Sequence, residues 1–489
     1  MGRGCKGYGA LLRTLSFVFF LSVIVSCGGG GSDGTFSGGG TQTPGGGTPP
    51  PTGGDTAALT KQFGSARFDG ASSTVVDSRG DVYVAGNTWG TVDSASPNPD
   101  ATAATSDIFI AKYSRVGTLQ WIRQIGTAQN DYATGVVVDN SANVIVSGFT
   151  FGSLFAANQG GSDYFVMKLD PATGNRIWEI QNGTPELDEV WGVTTDRNDN
   201  IYLAGGTRGD LVFVNQGDFD AILVSYTSAG DQRSNSVAIA AFNGPDFDMA
   251  RAVAVDDDRG YVYVTGDGYT LKLLQDNVTN VDDSDIFVLR TDTATGSSFL
   301  GAPFLYSIVA NDNTPMPSFA TGIALNRLGE VFISGYTIER DKEFTSNAGD
   351  VTFELFKLDR SDAMNLLWHS YKPAGPHPGN KALGVAVDSM QDVYLTGYVS
   401  IQLDASGGPH LGGTDAFLMQ FDGNSGATLW TRQFGTAGND RAFGIAIDKN
   451  RAGDVHYVVG ETFGSMDGNP NLGGYDAFSA QFDQFGNRL

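Results

Sequence analysis

Residues 382–435 contain four short apolar segments in succession: ALGVAVD (382–388), DVYLTG (392–397), DAFLMQFD (415–422) and WTRQFG (430–435). Each segment has the length of a β-strand and is rich in β-branched or aromatic residues. Polar residues and glycines separate the segments, as they do in turns between strands. This stretch therefore predicts four antiparallel strands, which we label A to D in chain order.

The strand A segment recurs seven times, at spacings between 57 and 70 residues. The copies are ASSTVVD (71–77), ATGVVVD (133–139), VWGVTTD (190–196), ARAVAVD (250–256), ATGIALN (320–326), ALGVAVD (382–388) and AFGIAID (442–448). The strand B and strand C segments also recur seven times, in the same order. A repeated four-strand unit is the signature of a β-propeller, so the sequence predicts seven blades.

The seventh unit contains only three strands before the chain ends at Leu489. The missing strand D has a match near the other end, because KQFG (61–64) repeats the RQFG (432–435) of the sixth unit. We expect residues 61–64 to pair beside residues 477–483 and to close the ring without an exposed sheet edge. The predicted fold is an all-β, seven-bladed β-propeller of four-stranded antiparallel blades over residues 59–489.

Two kinds of repeated residue fit this architecture. Strand A carries a small residue where seven inner strands would crowd at the axis, namely Gly135, Gly192, Gly322, Gly384 and Gly444, with Ala252 and Ser73 in the other units. Four of the six tryptophans stand near the start of strand D, namely Trp121, Trp178, Trp368 and Trp430. We expect these indoles to pack between neighbouring blades.

The first residues predict export. Residues 1–26 combine three basic groups with a short apolar stretch, which is too short to span a bilayer comfortably and is typical of a signal peptide. The stretch ends Ile-Val-Ser-Cys27, which resembles the bacterial lipobox. The resemblance implies cleavage before Cys27 and acylation of that residue, including by palmitate. An ordinary secretory cleavage and an uncleaved anchor are the alternatives.

Residues 27–58 consist mostly of Gly, Ser, Thr and Pro and cannot bury enough apolar surface to fold, so they predict a disordered tether. Gly28 rather than Asp follows the cysteine, which indicates an outer-membrane lipoprotein and leaves the side of that membrane open. The formal net charge of −24 argues against nucleic-acid binding. We expect a monomer held to the membrane by its N-terminal lipid.

The repeat unit itself resembles a known family. The pattern WTRQFG, GIAID, GxTxG and GGxDAF, best preserved in units one, two, six and seven, is similar to the SBBP β-propeller repeat of bacterial surface and envelope proteins. The resemblance covers residues 59–489 and implies a propeller fold and an envelope location. It implies no particular activity.

Long B–C loops of unequal length predict the functional face, because binding residues usually lie in variable loops on a rigid scaffold. Three positions past the strand B glycine, the candidate ligand-face residues are Trp89, Phe151, Arg208, Tyr269 and Phe463. They would stack on sugar rings or grip a peptide, or else only cap the blades. An unidentified envelope protein or a glycan is the expected partner.

An acidic residue also recurs at the start of strand A, at Asp69, Asp131, Asp188, Asp248 and Asp440. One interpretation is an acidic ring that binds a divalent cation such as Ca²⁺. The other, which we favour, is that each carboxylate accepts backbone hydrogen bonds within its own loop. Otherwise the sequence predicts no cofactor.

Two C–D turns, at residues 170–178 and 422–430, resemble the tryptophan-docking motif of quinoprotein propellers. The lysine that follows the motif's glycine is absent from both turns, and no cysteine pair lies in the repeats. No nucleophile elbow, P-loop or dinucleotide fingerprint appears. We therefore predict a binding or scaffold module without catalytic residues. A quinoprotein-like or calcium-dependent enzyme and a structural spacer are the alternatives.

Overall fold

A computed structural model describes residues 60–95, 105–211, 214–215, 217–233, 237–238, 247–268, 284–293, 304–306, 308–309, 315–338, 350–375, 377, 379–404, 407–451 and 453–489. The predicted signal peptide, Cys27, the tether and Tyr269 lie outside these residues. Within them the structure is almost entirely β, with a single-turn 3₁₀ helix at Met466–Gly468.

The described strands form seven four-stranded antiparallel sheets and one short hairpin. The first three blades are built from β2 (Asp69–Val76), β3 (Val82–Thr88), β4 (Asp107–Tyr113) and β5 (Leu119–Ile125); β6 (Asp131–Val138), β7 (Val144–Thr150), β8 (Asp163–Leu169) and β9 (Arg176–Asn182); and β10 (Asp188–Thr195), β11 (Ile201–Thr207), β12 (Asp220–Tyr226) and β13 (Val237–Ala238).

The fourth blade and the hairpin beside it come next. They consist of β14 (Asp248–Asp256), β15 (Tyr261–Gly268), β16 (Asp285–Asp292) and β17 (Phe304–Tyr306), and of β18 (Ile308–Val309) and β19 (Pro315–Met316). Blades five and six are β20 (Ser318–Leu325), β21 (Val331–Ile338), β22 (Val351–Leu358) and β23 (Leu366–Gly375), then β24 (Lys381–Val387), β25 (Val393–Val399), β26 (Asp415–Phe421) and β27 (Thr428–Phe434).

The seventh blade joins the two ends of the propeller. It consists of β28 (Asp440–Asp448), β29 (Val455–Thr462), β30 (Asp476–Phe482) and β1 (Lys61–Phe63). In the last pair, Lys61 lies opposite Ser479 and Phe63 opposite Ala477. Each strand A also contacts strand A of the next blade, and β28 contacts β2. The predicted seven-bladed ring and its closure by the N-terminal strand are confirmed.

The small residues of strand A are required by these inner contacts. A side chain at Gly135 would come within 2.6 Å of Val193 in the next blade, and one at Gly192 within 2.8 Å of the Ala252 backbone. Seven inner strands can therefore approach one another only where one of each pair lacks bulk.

Each strand D tryptophan docks on the C–D turn of the following blade. The Trp121 indole donates a 3.1 Å hydrogen bond to the carbonyl of Pro171, and a Cβ at Gly174 would lie 2.8 Å from its ring. Trp178 contacts Ser228 in the same way, and Trp368 contacts Gly423. The turns that resemble a quinoprotein motif thus each pack against the indole of the preceding blade. Their glycines leave room for that ring.

A lysine on strand C reinforces this joint. Lys168 pairs with Asp139 of its own blade at 2.8 Å and donates to the Ser228 carbonyl of the next blade at 3.1 Å. Lys112 and Lys357 make the corresponding contacts in blades one and five. The lysine contacts therefore link the A–B turn of one blade to the C–D turn of the next. The face that carries these turns is called the turn face. The D–A and B–C connections lie on the opposite face, which we call the loop face.

Candidate functional site

The first residue of strand A anchors the loop face. The Asp131 carboxylate accepts the backbone N–H of Thr127 at 2.6 Å and the Thr127 hydroxyl at 3.0 Å. Its other oxygen accepts the hydroxyl of Thr150, the last residue of strand B. One aspartate thus joins the D–A connection to the end of the neighbouring strand.

The same arrangement recurs in other blades. Asp188 accepts from Thr184 and Thr207, Asp440 from Thr436 and Thr462, and Asp69 from Ser65. Asp248 donates its backbone N–H to Phe219 of the preceding blade at 2.7 Å. No group of three or more metal-ligating side chains occurs among the residues that the structure describes. The carboxylate contacts of Asp69, Asp131, Asp188 and Asp440 support the interpretation of these four aspartates as anchors of their own loops.

A second anchor fixes the B–C loops. The Gln181 amide donates to Asp163 at 2.8 Å and to the Gly152 carbonyl at 2.9 Å, while its oxygen accepts the backbone N–H of Leu154 at 2.8 Å. Gln124, Gln433 and Gln62 occupy the equivalent place in blades one, six and seven. Buried hydrogen bonds of this kind hold the loops in one conformation.

Three of the predicted ligand-face residues are aromatic and lie on the loop face. Phe151 and Phe463 expose 39% and 51% of their surface, and Trp89 is half-buried. The backbone N–H of each donates to the D–A connection of the same blade, at 2.9 Å. Arg208 differs, because it forms a 2.7 Å ion pair with Asp218 in its own B–C loop and covers the Phe219 ring.

These aromatics belong to a longer series of touching rings. The series, which we call the aromatic arc, crosses blades seven, one, two and three with centroid separations of 5.2 to 6.5 Å. Its members in order are Phe463, Tyr475, Phe68, Trp89, Tyr132, Phe149 and Trp191. Phe151 joins the arc through Phe149 at 6.1 Å. Phe68 is 51% exposed, so the arc is a surface and not a closed core.

A cation lies near each end of the arc. Arg441 covers the Tyr475 ring at 5.4 Å, and Arg251 covers the Trp191 ring at 5.6 Å. Both guanidinium groups also pair with a carboxylate of strand B in their own blade, Arg441 with Glu461 and Arg251 with Asp267, each at 2.9 Å. These pairs fix the cations at the loop-face ends of the two innermost strands.

A lysine lies between the two arginines on the remaining side. Lys381 opens strand A of blade six, directly opposite Tyr398, and its ammonium lies 5.5 Å from the Tyr336 ring centroid. Burial, together with repulsion from Arg251 and Arg441, lowers the pKa of Lys381 to about 7. Burial also raises the pKa of Glu189 to about 7, against attraction by Arg251 and Arg208.

We call the aromatic arc together with Arg251, Lys381 and Arg441 the mouth ring. Most of its members were not predicted from the sequence. Two of its positions lie at a β-bulge that recurs in strand A of every blade, where an extra residue stands between two paired ones. The bulged residues are Ser72, Thr134, Trp191, Arg251, Thr321, Leu383 and Phe443.

A signal for this site was present in the repeats. The position after the strand A aspartate, or after Ser318 and Asn380 in blades five and six, holds a different residue in every unit: Gly70, Tyr132, Glu189, Met249, Phe319, Lys381 and Arg441. The anchors on either side remain nearly constant, because every blade needs them. Variation at this loop-face position of strand A therefore separates candidate ligand contacts from the scaffold.

Comparison with known proteins adds two distant relatives, and no family model matches the chain. Regulatory protein FlaEY of Caulobacter vibrioides is 23% identical over 429 residues, which is 83% of this chain and 38% of that protein. A WD repeat-containing protein of Acanthamoeba polyphaga mimivirus is 30% identical over 156 residues, 28% of this chain and 11% of the viral protein. This chain thus spans well under half of either relative.

Solved structures resemble the fold at low similarity. Raptor of Chaetomium thermophilum covers 86% of this chain with a TM-score of 0.47 and 8% identity, and the match spans 28% of that chain. Hydrazine synthase of Kuenenia stuttgartiensis covers 83% of this chain and 96% of its own, with a TM-score of 0.45 and 9% identity.

The propeller fold suggests a binding or scaffold role, and the two relatives are named as a regulatory protein and a WD repeat-containing protein. In the described part of the chain, the structure contains no helix with the length and apolarity needed to cross a bilayer.

Proposed function

We propose that this protein is a lipid-anchored binding module of the bacterial envelope, and that the mouth ring is its binding surface. The assignment of the mouth ring as the binding surface rests on a contrast between two kinds of position on the loop face. The anchors repeat from blade to blade, whereas the positions that supply the mouth ring carry different side chains in different blades and together bring seven aromatic residues and three cations onto the loop face.

The aromatic arc has the properties of a contact surface. Tryptophan, tyrosine and arginine supply much of the energy of known interfaces, because they offer large contact areas at a small cost in conformational entropy. Here the rings are already held by their neighbours and by anchored loops. A ligand would therefore meet a preorganised surface, which reduces the entropic cost of binding.

The membrane part of the proposal depends on Cys27 and the segments around it. Its test is expression of the full chain and of Cys27→Ala in a Gram-negative host with labelled palmitate. We expect label and detergent-phase partition for the native chain and neither for the variant. Equal partition of the two chains would contradict the lipid anchor.

The binding part is tested with a matched pair of phenylalanines. Phe463 is 51% exposed on the loop face, and Phe485 is 63% exposed on the turn face. The full chain, Phe463→Ala and Phe485→Ala are each immobilised and exposed to solubilised envelope material from the native source. We expect Phe463→Ala to lose retained material and Phe485→Ala to keep it. The reverse result, or equal retention by all three, would contradict the assignment.

A further inference from the structure

We propose that the mouth ring binds a saccharide that carries one carboxylate in an otherwise neutral chain, with the carboxylate at Lys381 and the sugar rings along the aromatic arc. This inference rests on the proposed function and names the ligand class of the same surface. Three features of the site carry it: the grouping of cations, the form of the arc, and the charge of the whole protein.

The cations are grouped in a protein that has few of them. The sequence contains 30 basic residues against 54 acidic ones, yet Arg251, Lys381 and Arg441 lie at the loop-face ends of strand A in blades four, six and seven, where both arginines act on Lys381. Both arginines repel the Lys381 ammonium. An anionic group beside Lys381 would oppose that repulsion in a partly desolvated site, where such interactions are strong.

The fixed positions of the two arginines favour binding of a ligand carboxylate beside Lys381. Asp267 and Glu461 already hold Arg251 and Arg441 in fixed positions, which leaves their remaining N–H groups oriented. A ligand carboxylate has oxygens enough to accept from the lysine and from a neighbouring arginine at once.

The aromatic arc favours a saccharide over a peptide. Peptides usually bind by adding a strand to a free sheet edge or by placing a helix in an apolar groove. The inner strands here are packed against those of the next blade, so they offer no such edge. Half-buried tyrosine and tryptophan rings, with polar tips beside apolar faces, instead match the C–H faces and hydroxyl groups of sugars.

The net charge of −24 restricts the ligand further. A densely charged polyanion would be repelled at long range by the rest of the surface. A single carboxylate on a neutral body experiences much less of that repulsion, and it can still reach the local positive group.

The test uses cellobiouronic acid and cellobiose, which have the same two rings and differ in one carboxylate. Binding to the full chain in detergent is measured by calorimetry or ligand-observed NMR. We expect cellobiouronic acid to bind at least about tenfold more tightly than cellobiose, since one charged contact is lost with the neutral sugar. Lys381→Gln should abolish that preference, and Trp89→Ala should weaken both sugars. Lys61→Gln, on the outermost strand of blade seven, should change neither.

Equal affinity for the two disaccharides would overturn the proposal, as would a preference that survives Lys381→Gln. Failure of both sugars to bind at millimolar concentration would also overturn it. An acidic peptide that competes at the mouth ring more strongly than either sugar would replace the saccharide by a protein partner. The peptide result would still agree with the mouth ring as the binding surface. Unchanged retention of envelope material by Phe463→Ala would instead contradict the binding surface itself.

Discussion

The side-chain amide of Gln62 donates a 2.8 Å hydrogen bond to Asp476, across 414 positions of sequence. Its oxygen accepts the backbone N–H of Met466, also at 2.8 Å. Blade seven therefore uses the same glutamine anchor as blades one, two and six, although its glutamine comes from the other end of the propeller. Closure of the ring and order in the last B–C loop depend on the same residue.

Replacing this glutamine should destabilise the whole ring. We expect Gln62→Ala to lower the free energy of unfolding by about 2 kcal/mol, because it removes one donor from the buried Asp476 carboxylate and leaves the Met466 N–H without its acceptor. Gln120→Ala is the matched control, since Gln120 is exposed on the outer strand of blade one. Urea unfolding compares the two, and an equal effect on both would contradict the role assigned to Gln62.

The docked indoles should carry much of the contact between blades. Trp121 is 7% exposed and packs on the C–D turn of blade two. We expect Trp121→Ala to cost about 3–5 kcal/mol in the free energy of unfolding. Gly174→Ala should cost about 1–3 kcal/mol, because a Cβ there meets the indole and the residue has a φ of 70°. Thermal unfolding of both variants checks this, and an unchanged Tm for Gly174→Ala would contradict the docking contact.

Lys381 should reduce stability as a consequence of its place in the mouth ring. Its folded-state pKa of about 7 lies below the ordinary value of 10.5, so the unfolded chain binds more protons between these values. The contribution of this lysine to stability is therefore full above pH 10.5 and is lost as the pH falls through 7.

The expected result is that Lys381→Met raises the free energy of unfolding at pH 6, by about 1–2 kcal/mol after allowance for the lost contact with Tyr336. The gain should be smaller near pH 9. Urea unfolding at the two pH values measures it. A variant that is less stable at pH 6 would show that Lys381 serves packing rather than a ligand.

Binding of an acidic ligand should be coupled to proton uptake at Lys381. A carboxylate favours the charged ammonium, whereas Arg251 and Arg441 oppose it. Affinity for cellobiouronic acid should therefore increase as the pH falls from 8 to 6, and affinity for cellobiose should stay constant. Glu189 titrates in the same range, so Glu189→Gln is the control and should preserve the difference. Parallel pH profiles for the two sugars would contradict the coupling.

The anchoring aspartates predict a second pH effect. Burial raises the pKa of Asp69 and of Asp131 to about 6 from an ordinary 3.8. The folded state then binds more protons than the unfolded chain, so their stabilisation is full below 3.8 and is lost as the pH rises through 6. We expect a higher urea midpoint at pH 5 than at pH 7, with a smaller difference in Asp131→Asn. An asparagine, Asn380, already occupies the equivalent place in blade six and accepts the Ser400 N–H.

One buried histidine acts in the opposite direction at lower pH. Burial lowers the pKa of His456 to about 4 from 6.5, so its contribution to stability is lost as the pH falls from 6.5 through 4. The histidine should therefore reduce, without cancelling, the gain in stability that the two aspartates give between pH 7 and pH 5. A lower urea midpoint at pH 5 than at pH 7 would contradict this balance between the aspartates and the histidine.

The repeat pattern was sufficient to predict the fold, because each strand carries its own length, alternation and flanking turn residues. Closure through residues 61–63 followed from a single matching tetrapeptide. The hairpin at β18 and β19 was not predicted, since Ile308–Val309 and Pro315–Met316 have no counterpart in other units.

The sequence predicted only the part of the candidate site that follows strand B. Trp89, Phe151 and Phe463 follow the strand B glycine at a fixed distance, so the repeats point to them directly. Arg251 and Lys381 come from different strands of different blades, and their proximity depends on the radius of the ring and on a bulge. The sequence of a single repeat determines neither the radius of the ring nor the effect of the bulge. Sequence spacing alone therefore does not predict that the two residues lie close together.

The most direct measurement is photocrosslinking in living cells of the native source, with a benzoylphenylalanine placed at position 463 or at position 485. Both positions carry an exposed phenylalanine, and they lie on opposite faces of the propeller. We predict a specific crosslinked product from position 463, lost when Trp89→Ala is added, and none from position 485. Products from position 485 alone, or the same products from both, would contradict the assignment of the mouth ring as the binding surface.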